Sequence, residues 1–143
     1  MGFVMIRIRQ IEINALTFNQ YDNGVSEIKY HESSERAVDG FFYFFDLVIK
    51  ETCTDETIYL LSDLTETGHL PLAYHYSRIA QLNSKYDPAN RPRVRIANVY
   101  KEMSVKRRMV LAYMESLDIP GVALNMFSAD ERGTAIAWLL STR

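Results

Sequence analysis

The chain has few of the residues that commit a protein to one particular chemistry. Cys53 is the only cysteine among 143 residues, so no internal disulfide is possible, which fits a reducing compartment. The glycines are isolated, so no glycine-rich phosphate loop is present. The net charge is only −2, which excludes a general basic field for nucleic acid or acidic membranes.

Long apolar runs are also missing. No run approaches the roughly 20 residues that span a bilayer, and Asp46 interrupts the densest block, 40–49. Arg7, Arg9 and Glu12 interrupt the apolar stretch that a signal peptide would need. We therefore expect a single cytoplasmic domain over residues 1–143 that has no transmembrane segment and needs no cofactor.

What is present is a regular alternation of strands and helices. Residues 5–14 alternate between apolar and polar with a phase slip at Gln10, and 15–20 continue as extended chain. Asn23-Gly24 then predicts the tight turn of an antiparallel hairpin. The remaining pattern predicts helices at 34–51, 71–85, 104–117 and 128–140, and strands at 57–63, 94–99 and 122–127. We predict an α/β fold with a mixed, mostly parallel sheet of about five strands, an N-terminal β-hairpin and four helices.

Two of the predicted helices carry distinctive faces. Phenylalanine recurs at helical spacing in the first, which indicates packing on the sheet, with a partner-facing surface as the alternative. In the third, Lys106, Arg107 and Arg108 are expected to form a solvated outer side, and nucleic acid is not an expected partner. Its expected inward residues are Met109, Val110, Tyr113, Met114 and Leu117.

The strand at Thr57–Asp63 is the expected position of a binding site. Its apolar run 58–61 is typical of a strand buried on both faces, and Ser62 and Asp63 end it. Open α/β sheets bind ligands at the carboxyl ends of such strands. The candidate binding residues there are Asp63, Thr65, Thr67, His69, Tyr100 and Ser128.

Each candidate has a structural alternative. Asp63 is as well suited to accept backbone N–H bonds in its loop as to bind a ligand. With His69 it also suggests an acid–base pair in a small enzyme, for which Asn98 or Ser128 would have to supply a third polar group. The histidine spacing fits no metal site, and no base lies near Cys53 to make it a nucleophile.

Three segments carry a family resemblance: YLLSDLT, RVRIANVY and the ending VALNMFSADERGTAIAWL. With the order of elements, they resemble the SpoIIAA-like group of the STAS superfamily, which includes anti-sigma factor antagonists and transporter-tail domains. The resemblance implies a STAS-type fold and a module that binds partners or small ligands without catalysing a reaction.

The resemblance fails at the phosphorylation site. Anti-sigma antagonists carry an Asp-x-Ser segment and then an Asp-Ser pair whose serine is phosphorylated. Asp63-Leu64-Thr65 matches the first part, but the second falls on Leu70-Pro71, which cannot accept phosphate. Thr65 and Thr67 are only weak substitutes.

The leading hypothesis is therefore a non-catalytic regulatory or interaction module. It would bind a protein partner or a small apolar ligand near the 63–70 loop and the start of the second helix. A homodimer through the first helix or the edge hairpin is a further possibility.

Overall fold

The sheet has six strands that follow one another in chain order, from one edge to the other. The computed structural model describes residues 5–102, 104–116 and 119–142, without the side chains of 113–116. The strands are Arg7–Ile13 (β1), Leu16–Tyr21 (β2), Val25–Tyr30 (β3), Thr57–Asp63 (β4), Arg93–Tyr100 (β5) and Val122–Ser128 (β6). β1 to β3 pair antiparallel and β3 to β6 parallel. The mixed α/β sheet is confirmed, with six strands where about five were expected.

The sixth strand comes from a turn that the sequence pattern did not reveal. Asn14 has a φ of 53°, which ends β1 and reverses the chain directly into β2. The turn at Asn23-Gly24 is present as expected, with Gly24 at a φ of 89°. The pairing also shifts register between Arg7 and Arg9, close to the phase slip expected at Gln10.

Four helices cover the two faces of the sheet. They are Glu35–Glu51 (α1), Leu72–Lys85 (α2), Val105–Ser116 (α3) and Arg132–Leu140 (α4). Residues of α1, α2 and α3 pack in one hydrophobic cluster with one face of the sheet, while α4 packs with the other. No helix in the described part of the chain is both long and apolar enough to cross a membrane.

α1 is firmly embedded in the first of these clusters. The Ser34 hydroxyl caps it by accepting a hydrogen bond from the Ala37 backbone N–H at 3.1 Å. Phe41, Phe44 and Phe45 are buried, and the rings of Phe44 and Phe18 stack with centroids 3.9 Å apart. The phenylalanines of α1 are therefore mainly core residues, as the favoured interpretation expected.

α2 is attached in a different way, because none of its residues is buried. The expected packing face 72–82 is only partly covered, and Ala80 is exposed. Polar contacts to α1 hold the helix. The Tyr74 hydroxyl donates to Asp39 at 2.5 Å, and Lys85 and the Tyr86 hydroxyl bind Asp46 at 2.9 and 2.6 Å.

α3 matches its predicted position closely, whereas α4 begins at Arg132 rather than at 128, because the short 3₁₀ turn Ala129–Glu131 precedes it. Met109 is 67% exposed, so its predicted inward position is wrong, because α3 turns Val110 and Leu111 toward the core. The predictions for Tyr113, Met114 and Leu117 lie outside the described side chains. In α4, the apolar residues of the 128–140 segment predict the face that packs on the sheet, and Ala135, Ile136 and Leu139 are buried there, with Trp138 partly buried beside them.

Candidate functional site

The β4 strand occupies the central position that its apolar run predicted. It pairs with β3 on one side and β5 on the other, and Ile58, Leu60 and Leu61 are buried. Side chains alternate along a strand, so Ser62 shares a face with Leu60, while Asp63 shares the α4 face with Leu61. The carboxyl end of β4 therefore directs its serine, rather than its aspartate, toward α1 and α2.

Two small adjoining cavities lie on this face beneath α2. Their volumes are about 60 and 70 Å³. Four residues line both cavities, so the two cavities are neighbours in one apolar layer. The shared residues come from α1, α2 and the sheet: Phe41, His75, Ile96 and Leu124. Because α2 buries none of its own residues, it covers this layer without filling it.

The first cavity has a polar end at the carboxyl ends of β4 and β5. Ser62 and Asn98 lie directly opposite each other in the pairing of these strands, and both are buried. His69 and Tyr100 line the same cavity, with their ring centroids 5.1 Å apart. Neither ring nitrogen of His69 has a hydrogen-bond partner among the described residues, although both are shielded from solvent. A ligand entering here would meet unsatisfied hydrogen-bonding groups.

The second cavity is apolar over nearly all of its surface. Residues from both helices and from the sheet contribute to its lining, among them Phe42, Phe45, Ile79, Leu82, Val94 and Val122. Arg91 reaches its margin and donates a hydrogen bond to Asn83 at 2.7 Å. The two cavities together thus offer a polar end followed by an apolar interior, which is the usual composition of a small-ligand site.

Burial controls the charge of the titratable groups around the cavities. It lowers the pKa of His75 to about 4, so this imidazole is neutral at pH 7. Burial also lowers the pKa of His69, and the nearby Arg107 and Lys106 lower it further. Burial raises the pKa of Tyr100 to about 12, so its hydroxyl keeps its proton. These groups therefore present neutral donors and acceptors to a ligand.

The structure brings together only two of the six predicted site residues, His69 and Tyr100. One Asp63 carboxylate oxygen accepts from the Thr65 backbone N–H at 3.0 Å and from its hydroxyl at 2.6 Å. The Thr67 hydroxyl donates to the Gly68 carbonyl at 3.3 Å. Asp63, Thr65 and Thr67 thus close their own loop, as the structural alternative for Asp63 expected.

Ser128 is occupied in a similar way. Its single hydroxyl proton is shared between the Asp130 and Glu131 carboxylates, the latter at 2.8 Å. Its backbone N–H donates to the Glu131 carboxylate at 3.0 Å, and its hydroxyl accepts from the Glu131 backbone N–H. This is the capping box that the sequence indicates, here preceding the short 3₁₀ turn Ala129–Glu131 that leads into α4. The Ser128 side chain therefore stabilises a helix entry and lies outside both cavities.

The alternative acid–base pair does not have the contact that it needs. Asp63 and His69 form neither a hydrogen bond nor an ion pair in the described structure, and they lie on different sides of the strand end. Cys53 is exposed, and a hydrogen bond to Glu56 raises the pKa of its thiol. That shift disfavours the thiolate that a nucleophile requires.

Sequence reasoning missed most of the residues that form the cavities. The period-two pattern of β4 contained enough information to place Ser62 with Ile58 and Leu60 on the helix-covered face. No comparable signal marked Phe41, Ile96 or Leu124, because their apolar character is the same in a filled core and around a cavity.

Comparison of the chain with protein-family models, with curated proteins and with solved structures found no match.

Proposed function

We propose that this protein is a non-catalytic binding module that takes a small apolar ligand beneath α2. The observation that carries the proposal is the mismatch between α2 and the surface it covers. Side chains of α1, α2 and the sheet line the cavities, but every residue of α2 is at most partly buried, so space remains beneath the helix. Filling this space would remove apolar surface from water at about 25 cal/mol per Å².

The size of the cavities determines how a ligand enters. Volumes of about 60 and 70 Å³ are well below the roughly 300 Å³ of typical ligand sites. A ligand longer than a few carbon atoms therefore requires α2 to move outward. Such movement has to break the polar contacts of α2 with Asp39 and Asp46 of α1. The apolar surface that it uncovers would be covered again by the ligand.

The polar groups that line the first cavity are suited to hydrogen bonding with a ligand. The cavity residues Ser62, His69, Asn98 and Tyr100 include no carboxylate, and the nearest predicted acid, Asp63, is bound to Thr65. The resemblance to the SpoIIAA-like group agrees with such a module and stays a prediction, as does a regulatory role.

The proposal is tested by filling the cavity. Leu124 lines both cavities, and the substitution Leu124→Phe places a larger ring in the space that a ligand would occupy. Titration calorimetry should detect binding of 1-octanol to the wild type. In the variant we expect the affinity for octanol to be at least about tenfold lower, which corresponds to a loss of about 1.4 kcal/mol of binding free energy.

The matched control is Leu140→Phe, the same substitution in α4 on the opposite face of the sheet. This variant should bind octanol as the wild type does. Unchanged octanol binding by Leu124→Phe, with its melting temperature preserved, would place the ligand elsewhere. A wild type that binds no octanol would contradict the proposed function itself.

A further inference from the structure

Arg107 lies beside the polar end of the first cavity, next to the lining residue Tyr100, and has no acidic partner among the described residues. Its guanidinium carbon is 4.6 Å from the centre of the Tyr100 ring, which lines the cavity. A Cβ added at Gly68, next to His69, would lie 3.7 Å from one of its terminal nitrogens. Among the described residues, Arg107 forms no ion pair, and its one hydrogen bond from the guanidinium goes to the Glu102 carbonyl at 2.5 Å.

This position differs from the solvated helix face that the sequence predicted for Arg107. Lys106 and Arg108 are exposed, but Arg107 is half-buried between Tyr100 and the 63–70 loop. Stacking on an aromatic ring fixes the plane of a guanidinium and leaves its N–H edge available. Arg107 is thus a fixed cation with donors left for a ligand.

Both acidic side chains of the neighbouring 63–70 loop have partners other than Arg107. Glu66 pairs with Lys29 at 3.2 Å and with His31 at 3.6 Å. Asp63 is bound to Thr65. In the part of the chain that the structure describes, no carboxylate therefore forms an ion pair with Arg107.

We infer that the ligand is an amphiphile with an oxyanion head, whose head binds Arg107 beside His69 while its apolar chain extends beneath α2. The guanidinium fork fits the oxygens of a carboxylate or a phosphate, and both heads share this recognition. His69 has unpaired ring nitrogens at the same place, and one of them donates to an oxyanion. This inference rests on the proposed apolar site and adds the class of ligand.

The test compares three ligands with the same alkyl chain: 1-octanol, octanoate and octyl phosphate. Their affinities are measured by titration calorimetry at pH 7.5 for the wild type, Arg107→Gln and Arg108→Gln. Arg108 is the matched control, an exposed arginine next in the same helix. We expect the wild type to prefer at least one anionic ligand over octanol by about tenfold, as a charge-assisted hydrogen bond provides.

The preference for the anion over octanol should disappear in Arg107→Gln and persist in Arg108→Gln, and Arg108→Gln should bind all three ligands as the wild type does. The anion that is preferred identifies the head as carboxylate or phosphate. Equal binding of octanol and both anions by the wild type, or a preference retained by Arg107→Gln, would overturn the inference and leave the apolar site intact. Failure of all three ligands to bind would remove the proposed function and this inference together.

Discussion

At the scale of single residues, His75 has the environment with the clearest dependence on pH. It lines both cavities beneath α2, and its ring lies 5.3 Å from that of Phe42. Burial among apolar groups disfavours the imidazolium, and the pKa falls to about 4 in the folded protein. An unfolded chain binds this proton near pH 6.5, so acid favours unfolding through His75.

We therefore predict that His75 reduces stability as the pH falls from about 6.5 to about 4. Its stabilising contribution is complete above the unfolded pKa and is lost toward the folded one. Because the ring keeps part of its surface open to solvent, we expect a loss of roughly 1–2 kcal/mol between pH 7 and pH 5. Urea unfolding at a series of pH values measures it.

The variant His75→Leu should show a flatter pH profile over this range. His31→Gln is the control, because His31 contacts Thr17 and Glu66 at the surface and lies outside the cavities. If wild type and His75→Leu lose the same stability on acidification, the acid sensitivity comes from other groups.

At the scale of elements, the helices differ in how they are held. α1 contributes nine buried residues and α2 none, so the partly buried apolar contacts of α2 leave a larger share of its attachment to polar contacts with α1. Asp46 is the main one. Although partial burial raises its pKa, hydrogen bonds from Tyr86, Lys85 and Lys50 lower it to about 2, which keeps the carboxylate charged. Exposed pairs of this kind contribute only about 1 kcal/mol.

We predict that α2 opens locally far more readily than α1. Amide hydrogen exchange followed by mass spectrometry should show lower protection in 72–85 than in 35–51, by at least about 2 kcal/mol of opening free energy, because few apolar contacts oppose opening. Equal protection of the two helices would contradict the loose attachment of α2.

The substitution Asp46→Asn tests the polar attachment directly. It should lower the protection of α2 by a further factor of about three to ten and leave α1 unchanged, as the loss of roughly 1 kcal/mol implies. Asp55→Asn, which removes an exposed loop carboxylate, is the control. If the hydrogen-exchange protection of α2 is unchanged in Asp46→Asn, the helix is held through Asp39 and not through Asp46.

The sequence predicted elements with strong periodicity and missed features that depend on packing. The order of elements and the central position of β4 follow from apolar patterns that act locally, and these are confirmed. The turn at Asn14 was missed because a single residue in the left-handed region leaves no periodic signal. Whether apolar residues such as Ile96 and Leu124 contact a helix or line a cavity depends on how closely α2 packs against the sheet. No local sequence pattern carries that information.

At the scale of the whole molecule, the strand order determines which face holds the site. β3 to β6 advance in one direction across the sheet, and right-handed connections then place α1, α2 and α3 on the same face. The opposite face is left to α4 alone. The β1 edge carries the exposed Ile6 and Ile8, but a homodimer through this edge stays a prediction.

A polar network joins the two ends of the chain across the α4 face. Glu27 of β3 is 7% exposed, and it accepts hydrogen bonds from Asn19 at 3.1 Å and from the Tyr21 hydroxyl at 3.2 Å. Arg132, at the start of α4 and 105 positions later in the chain, forms an ion pair with the same carboxylate. Without Arg132, a largely buried negative charge would lose its only cationic partner among the described residues.

We predict that Arg132→Leu lowers the free energy of unfolding by about 2 kcal/mol, because Glu27 is buried while Arg132 is partly open to solvent. The control is Arg36→Leu, which breaks the exposed pair with Glu32 and should lower it by no more than about 0.5 kcal/mol. Urea unfolding followed by the fluorescence of Trp138, the one tryptophan, measures both. If Arg132→Leu is as mild as the control, Asn19 and Tyr21 satisfy the Glu27 carboxylate by themselves, and α4 is held by its apolar face.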